Sequence, residues 1–150
     1  EQAAGGTATE GGADRPLVVG YLARLAPEKG LHVLVDAFIE LRRRGLGRAK
    51  LRLAGWLGAH QHEFVEKQWE KLRAAGLETE YEYVGEVDRR GKVDFLRSID
   101  LLCVPTTYRE PKGLFAREAL AAGRPVVLPD HGAFPEMLDD VGRTVHVRAE

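Results

Sequence analysis

Several residue types on which catalytic or structural chemistry often depends are almost missing from this sequence. Cys103 is the single cysteine and Ser98 the single serine. An internal disulfide is therefore excluded, and Ser98 lacks the strand–turn–helix context of a hydrolase nucleophile. Basic and acidic residues nearly cancel, giving a formal net charge of −1. This balance argues against a nucleic-acid partner, because nucleic-acid-binding domains usually carry a concentrated basic face.

Long apolar runs and targeting signals are also missing. No apolar run approaches the roughly 20 residues needed to cross a bilayer. No basic start leads into an apolar stretch with a small-residue cleavage site. Together with the single cysteine, these absences favour a reducing, cytoplasmic location. The chain begins with Glu1 and its only methionine is Met137, so we expect it to be a piece of a longer protein.

The composition predicts one folded domain preceded by a flexible segment. Residues 1–15 (EQAAGGTATEGGADR) are small, polar and rich in glycine, and such a segment buries too little apolar surface to offset its ordering entropy. We therefore interpret residues 1–15 as a linker or tail and residues 16–150 as a single domain, a length suited to one hydrophobic core.

From Pro16 onward, short apolar runs alternate with segments of helical periodicity. Six strands are predicted, at residues 17–22, 51–55, 81–85, 101–104, 125–128 and 144–147, with helices in the first four intervals. Such alternation is typical of a Rossmann-like, doubly wound parallel α/β sheet with helices on both faces. The strand order 3-2-1-4-5-6 is favoured, and a flavodoxin-like order is the alternative.

Two loops of this predicted sheet carry an unusual set of polar residues. In a doubly wound sheet, ligands bind beyond the carboxyl ends of the strands where the strand order reverses, here between strands 1 and 4. The loop after strand 1 offers Arg24 and Lys29, two cations that suit a diphosphate beside a helix N-terminus. The loop after strand 4 offers Glu110 and, in the following helix, Glu118, which can accept hydrogen bonds from sugar hydroxyls.

Each of these side chains has an ordinary alternative interpretation. Arg24 and Lys29 could be solvated surface cations, Glu110 a turn residue and Glu118 an exposed helix residue. Their shared position at the predicted switch point is what distinguishes them from other charged residues. A site that combines cations with carboxylates suits a ligand with both a diphosphate and hydroxylated rings.

Four motifs in these segments resemble one enzyme family. Residues 24–30 (RLAPEKG) are similar to the GRL-x-x-E-K-G signature of the group 1 retaining glycosyltransferases, which have the two-domain GT-B fold. Residues 110–118 (EPKGLFARE) match the family's two glutamates separated by seven residues. Residues 118–127 (EALAAGRPVV) and 132–136 (GAFPE) resemble two further signatures. The resemblance covers essentially all of residues 16–148.

The resemblance implies roles for individual residues. Arg24 and Lys29 would bind the donor diphosphate and stabilise negative charge on the leaving nucleotide, with Glu110 beside the transferred sugar as the third catalytic residue. Glu118 would hold the ribose hydroxyls, and Val87 would lie beside the base. Backbone amides at Gly113, Leu114 and Phe115 would touch the sugar or the phosphates.

The resemblance also implies what the rest of such an enzyme supplies. The substrate would be a nucleoside diphosphate sugar, with no cofactor and no bound metal. His60 and His62, two positions apart, are a poor metal pair. The partner would be the N-terminal acceptor-binding domain of the same enzyme, without which we expect no transferase activity. The arginines at 42–44 leave open a peripheral membrane association of the full-length protein.

Two positions depart from the family pattern. Ala23 stands where the family usually has glycine, and Lys112 replaces a small or aromatic residue before Gly113. A nucleotide-sugar epimerase or a phosphorylase of the same fold is an alternative function, although the glutamate spacing favours a transferase. A non-catalytic flavodoxin-like interaction module is the other alternative.

Overall fold

The computed structural model describes residues 15–45 and 48–138, together with the backbone of residues 143–145. Its centre is a parallel sheet with the strand order 3-2-1-4-5, which a short sixth strand extends at one edge. The strands are β1 (Leu17–Leu22), β2 (Ala49–Ala54), β3 (Tyr81–Tyr83), β4 (Leu101–Cys103), β5 (Val126–Pro129) and β6 (Arg143–Val145).

The helices follow the strands in the alternating order that the sequence predicts. They are α1 (Leu31–Arg43), α2 (His62–Ala74), α3 (Arg89–Ser98), α4 (Leu114–Ala121) and the single-turn α5 (Phe134–Met137). Helix α1 buries an apolar stripe at helical spacing, formed by Leu31, Leu34, Val35 and Phe38, because these positions return to one face of the helix. Helix α3 starts at Asp88, whose carboxylate accepts a hydrogen bond from the Gly91 amide at 2.7 Å.

The order of the strands confirms the doubly wound prediction and rules out the flavodoxin-like order. Strand β1 pairs with both β2 and β4, so the strand order reverses between β1 and β4. Several boundaries differ by one or two residues from the sequence prediction. Strand β3, for example, ends at Tyr83 rather than at residue 85, because Gly85 has a φ of +90°, which does not continue a strand.

Residues 1–14 of the predicted tail lie outside the described residues. Arg15, the first described residue, pairs with Asp100 at 2.8 Å between Nη2 and Oδ1. The same carboxylate accepts a hydrogen bond from the Val18 amide. In the described part of the chain, no helix is both long and apolar enough to cross a membrane.

Candidate functional site

The loops that follow β1 and β4 are in direct contact at the carboxyl edge of the sheet. Gly30 has a φ of +76°, and a Cβ atom at this position would lie 1.8 Å from the Pro105 carbonyl oxygen. Only glycine therefore fits here. The Thr107 amide donates a hydrogen bond of 3.0 Å to the Glu28 carbonyl. This close backbone contact brings the side chains of the two predicted motifs together.

Lys29 and Glu110 form the central contact of this edge. Lys29 Nζ lies 3.0 Å from Glu110 Oε2, and the two side chains are only 12% and 11% exposed. Tyr108 joins them, because its hydroxyl accepts a hydrogen bond of 2.7 Å from Lys29 Nζ and donates one to Glu110 Oε2. The rings of Tyr108 and Phe115 also approach the ammonium, with centroids 5.1 Å and 5.7 Å from Nζ.

Glu110 is held by backbone as well as by side chains. Its Oε1 accepts a hydrogen bond of 3.4 Å from the Gly113 amide, and its carbonyl accepts one of 2.8 Å from Ala133. Partial burial acts to raise the pKa of Glu110. The hydrogen bonds from Tyr108 and Lys29 and the charge of Lys29 outweigh it and hold the pKa below the usual glutamate value. Glu110 is thus favoured as an ionised hydrogen-bond acceptor rather than as a proton donor.

The N-terminus of helix α4 lies beside this contact. Gly113, the N-cap residue, has a φ of +60°, and a Cβ atom there would lie 2.7 Å from the Phe134 ring. The first amides of α4, at Leu114 and Phe115, have no carbonyl partner within the helix. They and the helix dipole provide positive partial charge. Leu114 is an apolar residue and is 59% exposed. Its backbone amide, rather than its side chain, suits the predicted contact with the sugar or the phosphates.

A cleft of about 300 Å³ opens at the point where the strand order reverses. It joins the ends of β1, β2 and β3 to the starts of α3 and α4. The lining includes the predicted residues Val87, Leu114, Phe115 and Glu118, together with Leu22, Ala23, Gly55, Trp56, Glu86 and Lys92. A larger groove of about 890 Å³ between α3 and α4 shares Val87, Lys92 and Glu118 with this cleft.

Glu118 lies on the wall common to the cleft and the groove. Its Oε2 is 3.1 Å from Lys92 Nζ, and the two side chains are 36% and 38% exposed. Because both remain accessible to solvent, this pair adds little to stability. The partly exposed carboxylate of Glu118 is therefore accessible to a polar ligand in the cleft.

Arg24 is the predicted site residue that the structure does not join to the others. Its guanidinium pairs with Glu28 at 3.3 Å, and half of the Arg24 side chain is exposed. The Arg24 carbonyl accepts a hydrogen bond of 2.5 Å from the Tyr21 hydroxyl, so the backbone at this position is anchored. Arg24 thus keeps the freedom to turn toward a ligand, whereas Lys29 is already fixed.

Three residues of the site received no role from sequence reasoning. Tyr108 lies between the two predicted motifs, Lys92 pairs with Glu118, and Trp56 lines the cleft with its side chain 50% exposed. Trp56 follows β2, so the rule that ligands lie beyond strand ends could have drawn attention to it. No spacing in the sequence pairs Lys92 with Glu118.

Among residues 15–45 and 48–138, no group of three or more His, Cys, Asp or Glu side chains is placed to hold a metal ion. Lys29 and Lys92 accompany the two carboxylates of the site. Among the residues that line the cleft, Lys92 carries a positive charge, and the N-terminus of α4 adds positive partial charge.

Two solved structures resemble this fold. The Anabaena protein HepE, crystallised with UDP and glucose, superposes with a TM-score of 0.79 at 26% identity, over 87% of this chain and 35% of that one. The C-terminal domain of the group 1 glycosyl transferase LpcC from Francisella tularensis superposes with a TM-score of 0.77 at 23% identity, over 89% of this chain and 69% of that one.

Sequence comparison gives relatives of known activity. A phosphatidyl-myo-inositol mannosyltransferase of Mycobacterium tuberculosis is 35% identical over 123 residues, which are 81% of this chain and 30% of the relative. A mannosylfructose-phosphate synthase of Agrobacterium fabrum is 36% identical over 118 residues, which are 77% of this chain and 26% of the relative. This chain therefore spans less than a third of the length of these two relatives.

The family model for glycosyl transferases group 1 matches residues 8–149, nearly the whole chain. The predicted motifs lie inside this match, and the first two of them meet at the carboxyl edge of the sheet. On this evidence the chain belongs to the group 1 glycosyltransferase family.

Proposed function

We propose that this chain binds the nucleoside diphosphate sugar from which a group 1 glycosyltransferase transfers the sugar, with retention of the anomeric configuration. The observation that carries the proposal is the contact between Lys29 and Glu110 at 3.0 Å. It places a cation and a carboxylate together beside the N-terminus of α4, whose residues Leu114 and Phe115 line the switch-point cleft.

The diphosphate is the part of the ligand that needs positive charge. Lys29 and the first amides of α4 supply fixed donors, and Arg24 supplies a guanidinium that can exchange Glu28 for phosphate oxygens. Fixed donors aimed at the departing nucleotide stabilise charge that develops in the transition state. We assign the cationic part of catalysis to Lys29 and Arg24.

The sugar and the ribose need hydrogen-bond acceptors. Glu110 presents an ionised carboxylate next to Lys29, which suits the hydroxyls of the transferred sugar. Glu118 lies on the wall of the cleft with Val87, which suits a ribose with its base beside Val87. We therefore assign Glu110 to the sugar end of the donor and Glu118 to its nucleoside end.

Catalysis is proposed to need a second domain. The cleft is open, and nothing in the described residues covers it on the acceptor side. We expect the isolated chain to bind the donor weakly and to transfer no sugar, since acceptor binding and exclusion of water need further protein. Turnover of a nucleotide sugar by the isolated chain would contradict this expectation.

The proposal is tested by titrating UDP, GDP and ADP into the chain while following backbone amide shifts. One nucleotide is expected to give saturable shifts centred on residues 24–30, 85–92 and 113–118. Lys29→Met should weaken binding about tenfold or more, since a hydrogen bond to a charged group is lost. Lys71→Met is the matched control, because Lys71 pairs with Asp36 at the same distance of 3.0 Å between α1 and α2.

A different pattern of shifts would overturn the proposal. A second groove, of about 360 Å³, is lined by Arg42, Arg48, Lys50 and Glu80 near the opposite ends of β1 and β2. Shifts centred on this groove would indicate non-specific attraction of phosphate to cations. If none of the three nucleotides gave saturable shifts, the proposed donor site would be refuted.

A further inference from the structure

The Tyr108 hydroxyl closes a triangle with the two charged groups of the site. It accepts from Lys29 Nζ at 2.7 Å and donates to Glu110 Oε2, while Lys29 itself lies 3.0 Å from the same oxygen. A phenol is suited to this position because one oxygen both donates and accepts. Phenylalanine could fill the same volume but would leave both charged groups with one partner fewer.

The surroundings of Lys29 show that its side chain is already ordered. The side chain is 12% exposed, and its ammonium lies near the faces of Tyr108 and Phe115. An ammonium has three N–H donors. Two of them point to Tyr108 and Glu110, and the third has no partner in the described part of the chain. One donor therefore remains for a ligand oxygen.

Tyr108 contributes little to the core. It is one of the exposed large apolar residues, at 37% exposure, and it lies on the loop between β4 and α4. Its hydroxyl contacts are made to the two charged side chains of the site. A role in arranging those groups explains the position of this ring better than a role in packing.

We infer that Tyr108 is a positioning residue of the site, whose hydroxyl holds the Lys29 ammonium and the Glu110 carboxylate in one arrangement before a diphosphate binds. The inference rests on the proposed function and adds to it a residue with no role so far. A free lysine loses rotamer entropy when it grips a ligand, and a lysine fixed in advance avoids that cost at the moment of binding. The Tyr108 O–H also continues to donate to Glu110 when the ammonium takes a phosphate oxygen.

The test compares Tyr108→Phe with Tyr81→Phe. Tyr81 is stacked on Trp69 at 5.0 Å on the β3 edge, so the control deletes a phenol oxygen away from the cleft. Affinities for UDP, GDP and ADP and the melting temperature are measured for both variants. Tyr108→Phe should remain folded, with a melting temperature lower by only about 2–4 °C, and should bind the preferred nucleotide about tenfold more weakly than wild type. Tyr81→Phe should bind as wild type does.

A second measurement follows the ligand-free protein. The Glu110 carboxyl carbon is titrated with pH by NMR in wild type and in both variants. The groups that face this carboxylate are Lys29, Tyr108 and the Gly113 amide. Loss of the Tyr108 hydrogen bond should raise the pKa of Glu110, whereas Tyr81→Phe should leave it unchanged.

The outcomes separate the positioning role from the proposed function. An unchanged Glu110 titration in Tyr108→Phe overturns the positioning role whether or not a nucleotide binds. A raised pKa with wild-type nucleotide affinity overturns it as well. A raised pKa in a protein whose wild type binds none of the three nucleotides supports the arrangement of the two charges by Tyr108 but overturns the proposed function.

Discussion

Lys29 and Glu110 are 81 positions apart in the chain, and their charged atoms lie 3.0 Å apart at the edge of the sheet. Neither loop could produce this contact alone. Strands β1 and β4 are parallel, hydrogen-bonded neighbours, so the loops that follow them lie side by side at the carboxyl edge of the sheet. The reversal of strand order therefore brings the two loops together, and Lys29 and Glu110 supply the opposite charges that meet there.

The pair should be energetically coupled. Lys29→Met removes the cation from a largely buried carboxylate that keeps its hydrogen bonds from Tyr108 and Gly113, so the free energy of unfolding should fall by about 1–3 kcal/mol. Adding Glu110→Gln to Lys29→Met should cost less than Glu110→Gln costs alone, with a coupling energy of about 1 kcal/mol in urea denaturation. The exposed pair Lys71–Asp36, at 40% and 62% exposure, is the control and should couple by only a few tenths of a kcal/mol. Strict additivity at Lys29 and Glu110 would show that the two charges do not interact.

Acid should weaken the fold partly through Glu110. Its pKa is lowered in the folded protein, so its contribution to stability is complete above the unfolded value of about 4.3 and is lost as the pH falls below the folded value. Unfolding free energies measured from pH 6 down to pH 3 should therefore fall less steeply in Glu110→Gln than in wild type. Glu78→Gln, at an exposed position, should follow wild type. A wild-type slope in Glu110→Gln would contradict the lowered pKa.

Gly30 should be far less tolerant of substitution than Gly76. Both have positive φ values, +76° and +73°, but a Cβ atom meets the Pro105 carbonyl at Gly30 and nothing within 4 Å at Gly76. Gly76→Ala should cost about 1 kcal/mol of stability through backbone strain alone. Gly30→Ala should cost about 3 kcal/mol or more and should also weaken nucleotide binding, because the two loops must separate. Equal costs in thermal unfolding would mean that the loops are not in tight contact.

The architecture could be predicted from the sequence because hydrophobic periodicity distinguishes strands from helices. Their alternation along the chain is typical of a doubly wound parallel sheet. The alternation of buried strands with amphipathic helices favoured the order 3-2-1-4-5-6 over a flavodoxin-like order, and the favoured order predicted that Lys29 and Glu110 lie close together. Strand ends were harder to predict. The end of β3 at Tyr83 depends on the backbone angle of Gly85, which no local pattern specifies.

The role of Glu118 can be tested through the ribose. If Glu118 accepts hydrogen bonds from ribose hydroxyls, wild type should bind the preferred nucleoside diphosphate about tenfold more tightly than its 2′-deoxy analogue. Glu118→Gln should lose most of this preference in calorimetric titrations. Glu70→Gln, on the exposed part of α2, should retain it. A preference for ribose that survives in Glu118→Gln would assign the hydroxyls to another residue.

Donor binding should need no divalent cation. In the proposed function, Lys29, Arg24 and the N-terminus of α4 supply the positive charge for the diphosphate, so nucleotide affinity should be the same in EDTA and in millimolar magnesium or manganese. A calorimetric titration in each buffer checks this. An affinity that rises tenfold or more with either metal would show that the cations of the chain are insufficient.

Some parts of the site were beyond prediction because they depend on packing between distant elements. Lys92 and Glu118 meet only because α3 and α4 lie side by side. The family motif marks Glu118, but no local pattern marks Lys92. Arg24 shows the converse. The motif grouped it with Lys29, yet its guanidinium pairs with Glu28 at the surface, because Glu28 lies four residues further along the chain, within reach of a long and half-exposed side chain.

Backbone hydrogen bonds join the loops around the cleft. Leu25 donates to the Trp56 carbonyl and Gly55 to the Gly85 carbonyl, both at 3.0 Å. Because main-chain atoms make these hydrogen bonds, substitution of Trp56 or Val87 should leave the loops around the cleft in place. Ligand preference at this edge can therefore be re-engineered one side chain at a time, without rebuilding the scaffold that presents it.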